Sequence, residues 1–149
     1  MRNSWLVAAG ILSVAASVLH VATIVGGPDW YRFFGAGEEM AVAAERGSSV
    51  PGVVTAAIAS VLMVWAFYAF SAAGLIRRLP LLRTALVLIT GVYLLRGLAL
   101  VPILVIKPHT VDTFAIVSSL VVLGYGIAHA VGTWQAWPSL SSITTTRSA

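Results

Sequence analysis

Four long apolar stretches dominate this 149-residue chain and leave little room for any fold other than a membrane bundle. They cover about residues 5–25, 53–76, 83–106 and 111–134, and each matches the ~20 residues that a helix needs to cross a ~30 Å hydrocarbon core. They lack the alternating polarity of a membrane β-strand, and backbone groups in lipid must be satisfied within the segment. The sequence therefore predicts an all-α, integral membrane four-helix bundle.

The predicted domain organisation is simple. Residues 1–138 form a single four-span domain, and residues 139–149 form a Ser/Thr-rich cytoplasmic tail. The first stretch is longer than the ~7–15 apolar residues of a signal peptide, so we expect it to be a retained helix.

The composition excludes several classes of protein. Hydrophobic residues make up 59% of the chain and charged residues only 9%, whereas a soluble domain carries roughly 25% charge. This argues against a soluble enzyme, a disordered chain and a basic-patch protein that binds nucleic acid. The chain contains no cysteine, so it has no disulfide or thiolate metal site. No close His/Glu spacing of the HExxH kind occurs, and we predict no metal and no cofactor.

The distribution of basic residues predicts the orientation. With four spans, five arginines fall on one side of the membrane, and this excess marks the cytoplasmic face. Both termini are then cytoplasmic. The preference for arginine over lysine and the richness in alanine, valine and leucine are typical of a multi-pass protein of a bacterial inner membrane. The five arginines are Arg2, Arg77, Arg78, Arg83 and Arg147.

The loop over 27–52 is too long to be a simple connection. It begins with an aromatic run at 30–34, and the segment 38–46 has the pattern of a short helix, with acids at its start and Gly47 after its end. We therefore predict a structured extracytoplasmic loop whose helix either lies flat on the membrane or folds into the bundle mouth.

Arg96 is the most unusual residue of the four stretches. It lies about ten residues from the end of the third span, roughly 15 Å deep at 1.5 Å per residue, where a charge costs ~2.5–3.5 kcal/mol. The one acid within these ranges is Asp112, at the very start of the fourth span, so we expect Glu38 or Glu39 of the loop to be its counter-charge. The alternative is that carbonyls, tyrosine hydroxyls and water hold Arg96 in a purely structural role. Pro102 predicts a kink that opens the outer half of the bundle beside Arg96.

These features predict an outward-opening polar pocket that binds a membrane lipid or another amphipathic small molecule. Tyrosine, serine and histidine side chains at helical spacing support this pocket, although an interhelical hydrogen bond is an alternative role for each histidine of the spans. The candidate ligand-binding residues are Arg96, Glu38, Glu39, His20, Tyr93, Tyr31 and Arg32. The candidate supporting residues are Tyr125, Tyr68, Ser17 and His129.

The sequence also allows other functions. The small residues Gly124, Ala128 and Gly132 allow close packing either within the chain or between chains, and the second case favours a subunit of a homo-oligomeric transporter or channel. A membrane-embedded enzyme that uses His20 with Glu38 or Glu39 is a third hypothesis, and an accessory protein without a site is a fourth. The sequence does not identify a substrate.

Overall fold

The computed structural model describes residues 3–106, 109 and 111–140, and in this part of the chain it contains helices and no strands. Four helical segments are long and apolar enough to cross a membrane: α1, α4, α5 together with α6, and α7. The protein is therefore a multi-pass, all-helical membrane protein. The helices are α1 (Ser4–Gly26), α2 (Pro28–Phe33), α3 (Glu38–Glu45), α4 (Val50–Ala72), α5 (Leu82–Leu98), α6 (Leu100–Ile106) and α7 (Thr113–Leu140).

The two ends of the bundle carry different segments. The arginine end carries the turn with Arg77 and Arg78 and the start of α5 with Arg83, and the loop end carries α2 and α3. Residues 141–149, most of the predicted tail, lie outside the described residues, and so do Arg2 and Arg147.

The second span lies nearer the N-terminus than the sequence predicted, because it begins at Val50 and ends at Ala72 instead of about 76. Gly74 stops the helix by adopting a positive φ of 75°, a conformation that glycine tolerates best. The Gly74 and Leu75 amides then donate to the carbonyls of Ser71 and Phe70. This closing pattern satisfies carbonyls that the end of a helix leaves free.

The fourth span continues to Leu140, six residues beyond the predicted 134. Its last carbonyls find a donor from another segment, because the Arg78 guanidinium donates to the carbonyls of Ser139 and Leu140. Carbonyls at a helix end need such donors, and this pairing between the turn and α7 is invisible in a hydropathy pattern.

The bundle consists of two helix pairs. α1 packs against α4 and α5 packs against α7, while the contact of α1 with α7 joins the pairs. Small residues allow the close approaches: Gly132 lies against Leu6, and Gly126 lies against Leu94. Gly132 and Ala128 are therefore buried within the chain, whereas Gly124 is exposed. Of the three small residues, Gly124 is the one that this packing leaves at the surface.

The third span is interrupted near its loop end. α5 ends at Leu98, and α6 begins at Leu100. Pro102 explains the break, because proline lacks an N–H and its ring clashes with the carbonyl four residues earlier, that of Leu98. Among the described helices, α6 contacts only α5 and α7, and none of its residues is buried. The contact that α5 makes with α4 is therefore not continued by α6.

Candidate functional site

Arg96 lies on the core-facing side of α5 and yet is exposed. It follows Ile89 by seven residues, close to two helical turns, and Ile89 is only 3% exposed. Tyr93, three residues before Arg96, is also buried. On this face of α5, the side chains of Ile89 and Tyr93 are therefore buried, whereas the side chain of Arg96 is exposed. This change lies close to the point where α6 loses the contact that α5 makes with α4. We call the exposed region around Arg96, between α6 and the α1–α4 pair, the loop-end crevice.

One hydrogen bond holds the Arg96 side chain among the described residues. Its Nη1 donates to the Ser119 hydroxyl at 3.5 Å, and Ser119 on α7 is 3% exposed. A guanidinium carries five N–H donors, so this one long bond leaves most of its hydrogen-bonding capacity unused.

The expected ion pair between Arg96 and Glu38 or Glu39 is not formed. Glu38 instead pairs with Arg32: Nη2 lies 2.7 Å from Oε1, and Nε lies 2.9 Å from Oε2. Glu45 also binds Arg32, with 2.7 Å between Nη1 and Oε1. Glu39 is exposed, and it forms no ion pair within the described part of the chain.

Arg32 binds the carboxylates of Glu38 and Glu45 because these residues lie close to it in the sequence. Arg32 lies in the last turn of α2, and Glu38 begins α3 six residues later, so their pairing needs only the short turn through Gly35 and Gly37. The hydrogen bonds with Glu38 and Glu45 raise the pKa of Arg32, and the bond with Arg32 lowers the pKa of Glu38. We call α2, the turn and α3 the loop-end cap.

An aromatic layer lies beneath the crevice. The Tyr93 ring packs on Trp65 at 5.0 Å, on Tyr125 at 5.7 Å and on His129 at 5.0 Å between centroids. The Tyr93 hydroxyl shares a hydrogen bond of 3.1 Å with the Ser13 hydroxyl. This layer fills the space between the two helix pairs and forms a floor one turn below Arg96.

His129 is fully buried in this layer. Its Nδ1 lies 3.0 Å from the Tyr125 carbonyl, so Nδ1 carries the proton and donates, because a carbonyl only accepts. Nε2 has no hydrogen-bond partner among the described residues.

The remaining candidates are dispersed. His20 Nδ1 donates to the Ala16 carbonyl at 2.7 Å. Like His129 Nδ1, it therefore bonds within its own helix. Neither of these two nitrogens forms the interhelical bond that the sequence suggested. Ser17 donates to the Ala59 carbonyl and joins α1 to α4. Tyr31 is buried in the loop-end cap, and Tyr68 packs beneath the aromatic layer. Within the described residues, no three His, Asp or Glu side chains form a group that could hold a metal ion.

Ser119, the partner of Arg96, is not among the residues predicted from the sequence. Its neighbour Ser118 is half-buried and donates to the Ala115 carbonyl of its own helix. A spacing of seven residues through Ser119, Gly126 and Thr133, all buried, marks the face that packs inwards. This spacing is visible in the sequence and could have identified Ser119 as a residue that faces inwards.

No protein-family model, curated protein or solved structure matches this chain. The assignment of a function therefore rests on the geometry of the site.

Proposed function

We propose that this protein binds an anionic amphipathic molecule in the loop-end crevice and that Arg96 holds the anionic group. The observation that carries the proposal is the position of Arg96. It lies on the core-facing side of its helix, near the middle of a span, and it is exposed, with one long bond to Ser119 as its side-chain hydrogen bond among the described residues. A charge at this depth is normally directed towards protein or a water-filled cavity and marks a functional site.

The charge of Arg96 favours an anionic ligand. Arg32 occupies the carboxylates of Glu38 and Glu45, and these acids do not neutralise Arg96. A guanidinium binds a carboxylate or a phosphate in a two-pronged manner. A ligand of that kind would supply the missing counter-charge.

The walls of the crevice favour an amphipathic ligand. α6 contributes the exposed apolar residues Val101, Ile103 and Leu104 near the opening, and the break at Ala99 leaves this segment apart from α1 and α4. A ligand with an apolar tail can therefore contact α6 and the surrounding lipid while its anionic group reaches Arg96. Tyr93 and the aromatic layer would limit how deeply it enters.

The proposed orientation follows the excess of basic residues, which places the arginine end in the cytoplasm. The loop-end crevice then opens to the opposite side of the membrane. In a bacterial inner membrane, the ligand would arrive from the periplasm or the outer leaflet.

A photoactivatable fatty acid and its methyl ester test this proposal in the purified chain. The two probes differ in charge and share the apolar tail. We expect the acid to crosslink more than the ester, at residues of α5, α6 or α7 near Arg96. Arg96→Met should reduce the yield for the acid by roughly tenfold, the effect of ~1.4 kcal/mol, within the range for a charged hydrogen bond.

Arg46→Met is the matched control, because Arg46 is an exposed arginine just after α3. It should leave the crosslinking unchanged. Equal labelling of the Arg96→Met variant and the unmodified chain would refute the proposal, as would equal labelling by the acid and the ester.

A further inference from the structure

A second set of observations lies at the opposite end of the bundle. The turn between α4 and α5 borders a cavity of about 580 Å³, which we call the basic cavity. Its lining includes three arginines, while all five acids of the chain lie in the loop after α1 or beside the start of α7. The lining residues of interest are Arg77, Arg78, Pro80, Leu81, Arg83 and Thr84.

The turn is held in place from two sides. The buried Ser71 hydroxyl donates to the Arg77 carbonyl at 3.0 Å and accepts from the Leu79 amide at 2.9 Å. Arg78 donates to the last carbonyls of α7. The basic cavity is therefore formed before any ligand binds, which lowers the cost of binding.

The start of α5 adds to the positive potential of the basic cavity. Leu81 precedes the helix with a positive φ of 51°, and no side chain caps the helix there. The first amides of a helix lack partners within it and attract anions. These amides belong to residues that line the same cavity as the arginines.

An apolar groove of about 460 Å³ lies next to the basic cavity, between α5 and α7. Thr133 lines it and is only 6% exposed. The hydroxyls of Thr133 and Thr90 are buried without a hydrogen-bond partner in the described part of the chain. Both threonines line the groove. The full lining is Val87, Thr90, Ala130, Thr133, Trp134 and Trp137.

One contact joins the two spaces. The Arg83 guanidinium carbon lies 3.6 Å from the centroid of the Trp137 ring, and Arg83 lines the basic cavity while Trp137 lines the apolar groove. A cation above a tryptophan is a favourable arrangement, and tryptophan prefers the boundary between lipid and water. Basic and apolar surfaces thus meet at the depth where a phospholipid changes from headgroup to acyl chain.

We infer that this two-part site binds a phospholipid with an anionic headgroup. The phosphate lies in the basic cavity, one acyl chain lies in the apolar groove, and an ester carbonyl accepts a hydrogen bond from Thr133 or Thr90. With the arginine end in the cytoplasm, the lipid comes from the inner leaflet. The inference is independent of the proposed ligand of Arg96, because the two sites lie at opposite ends of the bundle.

Native mass spectrometry of the full chain with phosphatidylglycerol and phosphatidylcholine of identical acyl chains tests this inference. We expect more bound phosphatidylglycerol than phosphatidylcholine. Arg77→Gln should weaken phosphatidylglycerol binding roughly fivefold, the effect of one basic residue near an anionic lipid surface. Thr133→Val keeps the side-chain shape, and it should weaken both lipids by a similar factor.

The controls separate this site from a general effect of surface arginines and from simple anion binding. Arg46→Met removes an exposed arginine at the loop end and should leave phosphatidylglycerol binding unchanged. Equal binding of the two lipids by the unmodified chain would overturn the inference, and so would phosphatidylglycerol binding that Arg77→Gln does not reduce. If millimolar inorganic phosphate removes all bound lipid, the site is a free-phosphate site, and the inference that the apolar groove binds an acyl chain is wrong.

Discussion

Arg32 and Glu38 form a two-pronged ion pair at the loop end, with 2.7 Å between Nη2 and Oε1 and 2.9 Å between Nε and Oε2. This pair connects α2 to α3, and Glu45 at the end of α3 completes it. Arg32 is therefore the cation that pairs with the acids of the cap, and these acids do not neutralise Arg96. The arrangement gives the two arginines separate roles, one in folding the cap and one facing the crevice.

Glu38→Gln should loosen the loop-end cap without unfolding the spans. The amide keeps the size of the side chain but loses the charge that makes the bonds to Arg32 strong. Hydrogen–deuterium exchange should rise in residues 28–45 and stay unchanged in α1 and α4. Glu39→Gln is the matched control, because Glu39 forms no ion pair within the described residues. Equal exchange in both variants would contradict the role of the ion pair.

The same ion pair predicts a dependence on pH. Arg32 lowers the pKa of Glu38 below its ordinary value of about 4.5. A carboxylate with a lowered pKa stabilises the folded cap fully above the ordinary value, and this stabilisation is lost as the pH falls through the lowered pKa. Exchange in residues 28–45 should therefore rise below about pH 4.5 in the unmodified chain. In Glu38→Gln that rise should be smaller, and an identical rise would exclude Glu38 as the titrating group.

Gly132→Ala should destabilise the bundle. A Cβ atom at Gly132 would lie 2.7 Å from Leu6 Cγ and 3.0 Å from the Leu6 backbone nitrogen, and forced overpacking costs about 1–3 kcal/mol. Gly124→Ala is the control, because no atom lies within 4 Å of a Cβ placed there. Thermal unfolding in detergent should show a lower midpoint for Gly132→Ala alone. A loss of stability in both variants would point to a contact between chains at Gly124.

Tyr93→Phe should weaken the joint between α1 and α5 by removing the hydrogen bond to Ser13. Interhelical hydrogen bonds in membrane proteins contribute about 0.6 kcal/mol on average, and a double-mutant cycle with Ser13→Ala should yield a coupling energy of that order. The aromatic contacts of the ring remain in Tyr93→Phe, so the aromatic layer should persist. A coupling energy of zero would show that the two hydroxyls do not act together.

Much of the fold could be predicted from the sequence, because each span must satisfy its own backbone and present an apolar surface to lipid. Four spans follow from that requirement. Their ends depend on local chemistry that hydropathy does not register: Gly74 ends α4 early, and Arg78 supports the long end of α7. The break at Ala99 was foreseeable because Pro102 removes the bond to Leu98.

The site was harder to predict, because pairing between charges depends on distances that spacing along the chain does not give. Arg96 was identified from depth alone, but its partner is Ser119 on α7, and Glu38 belongs to Arg32. The cation at Arg83 and the ring of Trp137 meet because the turn after α4 folds against the end of α7. Their positions, 54 residues apart in the chain, carry no periodic signal.

The most direct test of the crevice is the reactivity of a cysteine at position 96. The natural chain has no cysteine, so Arg96→Cys and Leu95→Cys each introduce a single thiol. Leu95 is 72% exposed on the outer surface of the bundle and serves as the lipid-facing control. Both variants must elute as folded species. A membrane-impermeant methanethiosulfonate reagent, added from the loop end to the chain in sealed vesicles, should label Arg96→Cys and leave Leu95→Cys unlabelled. Failure to label folded Arg96→Cys, or equal labelling at both positions, would contradict a water-filled crevice that reaches Arg96.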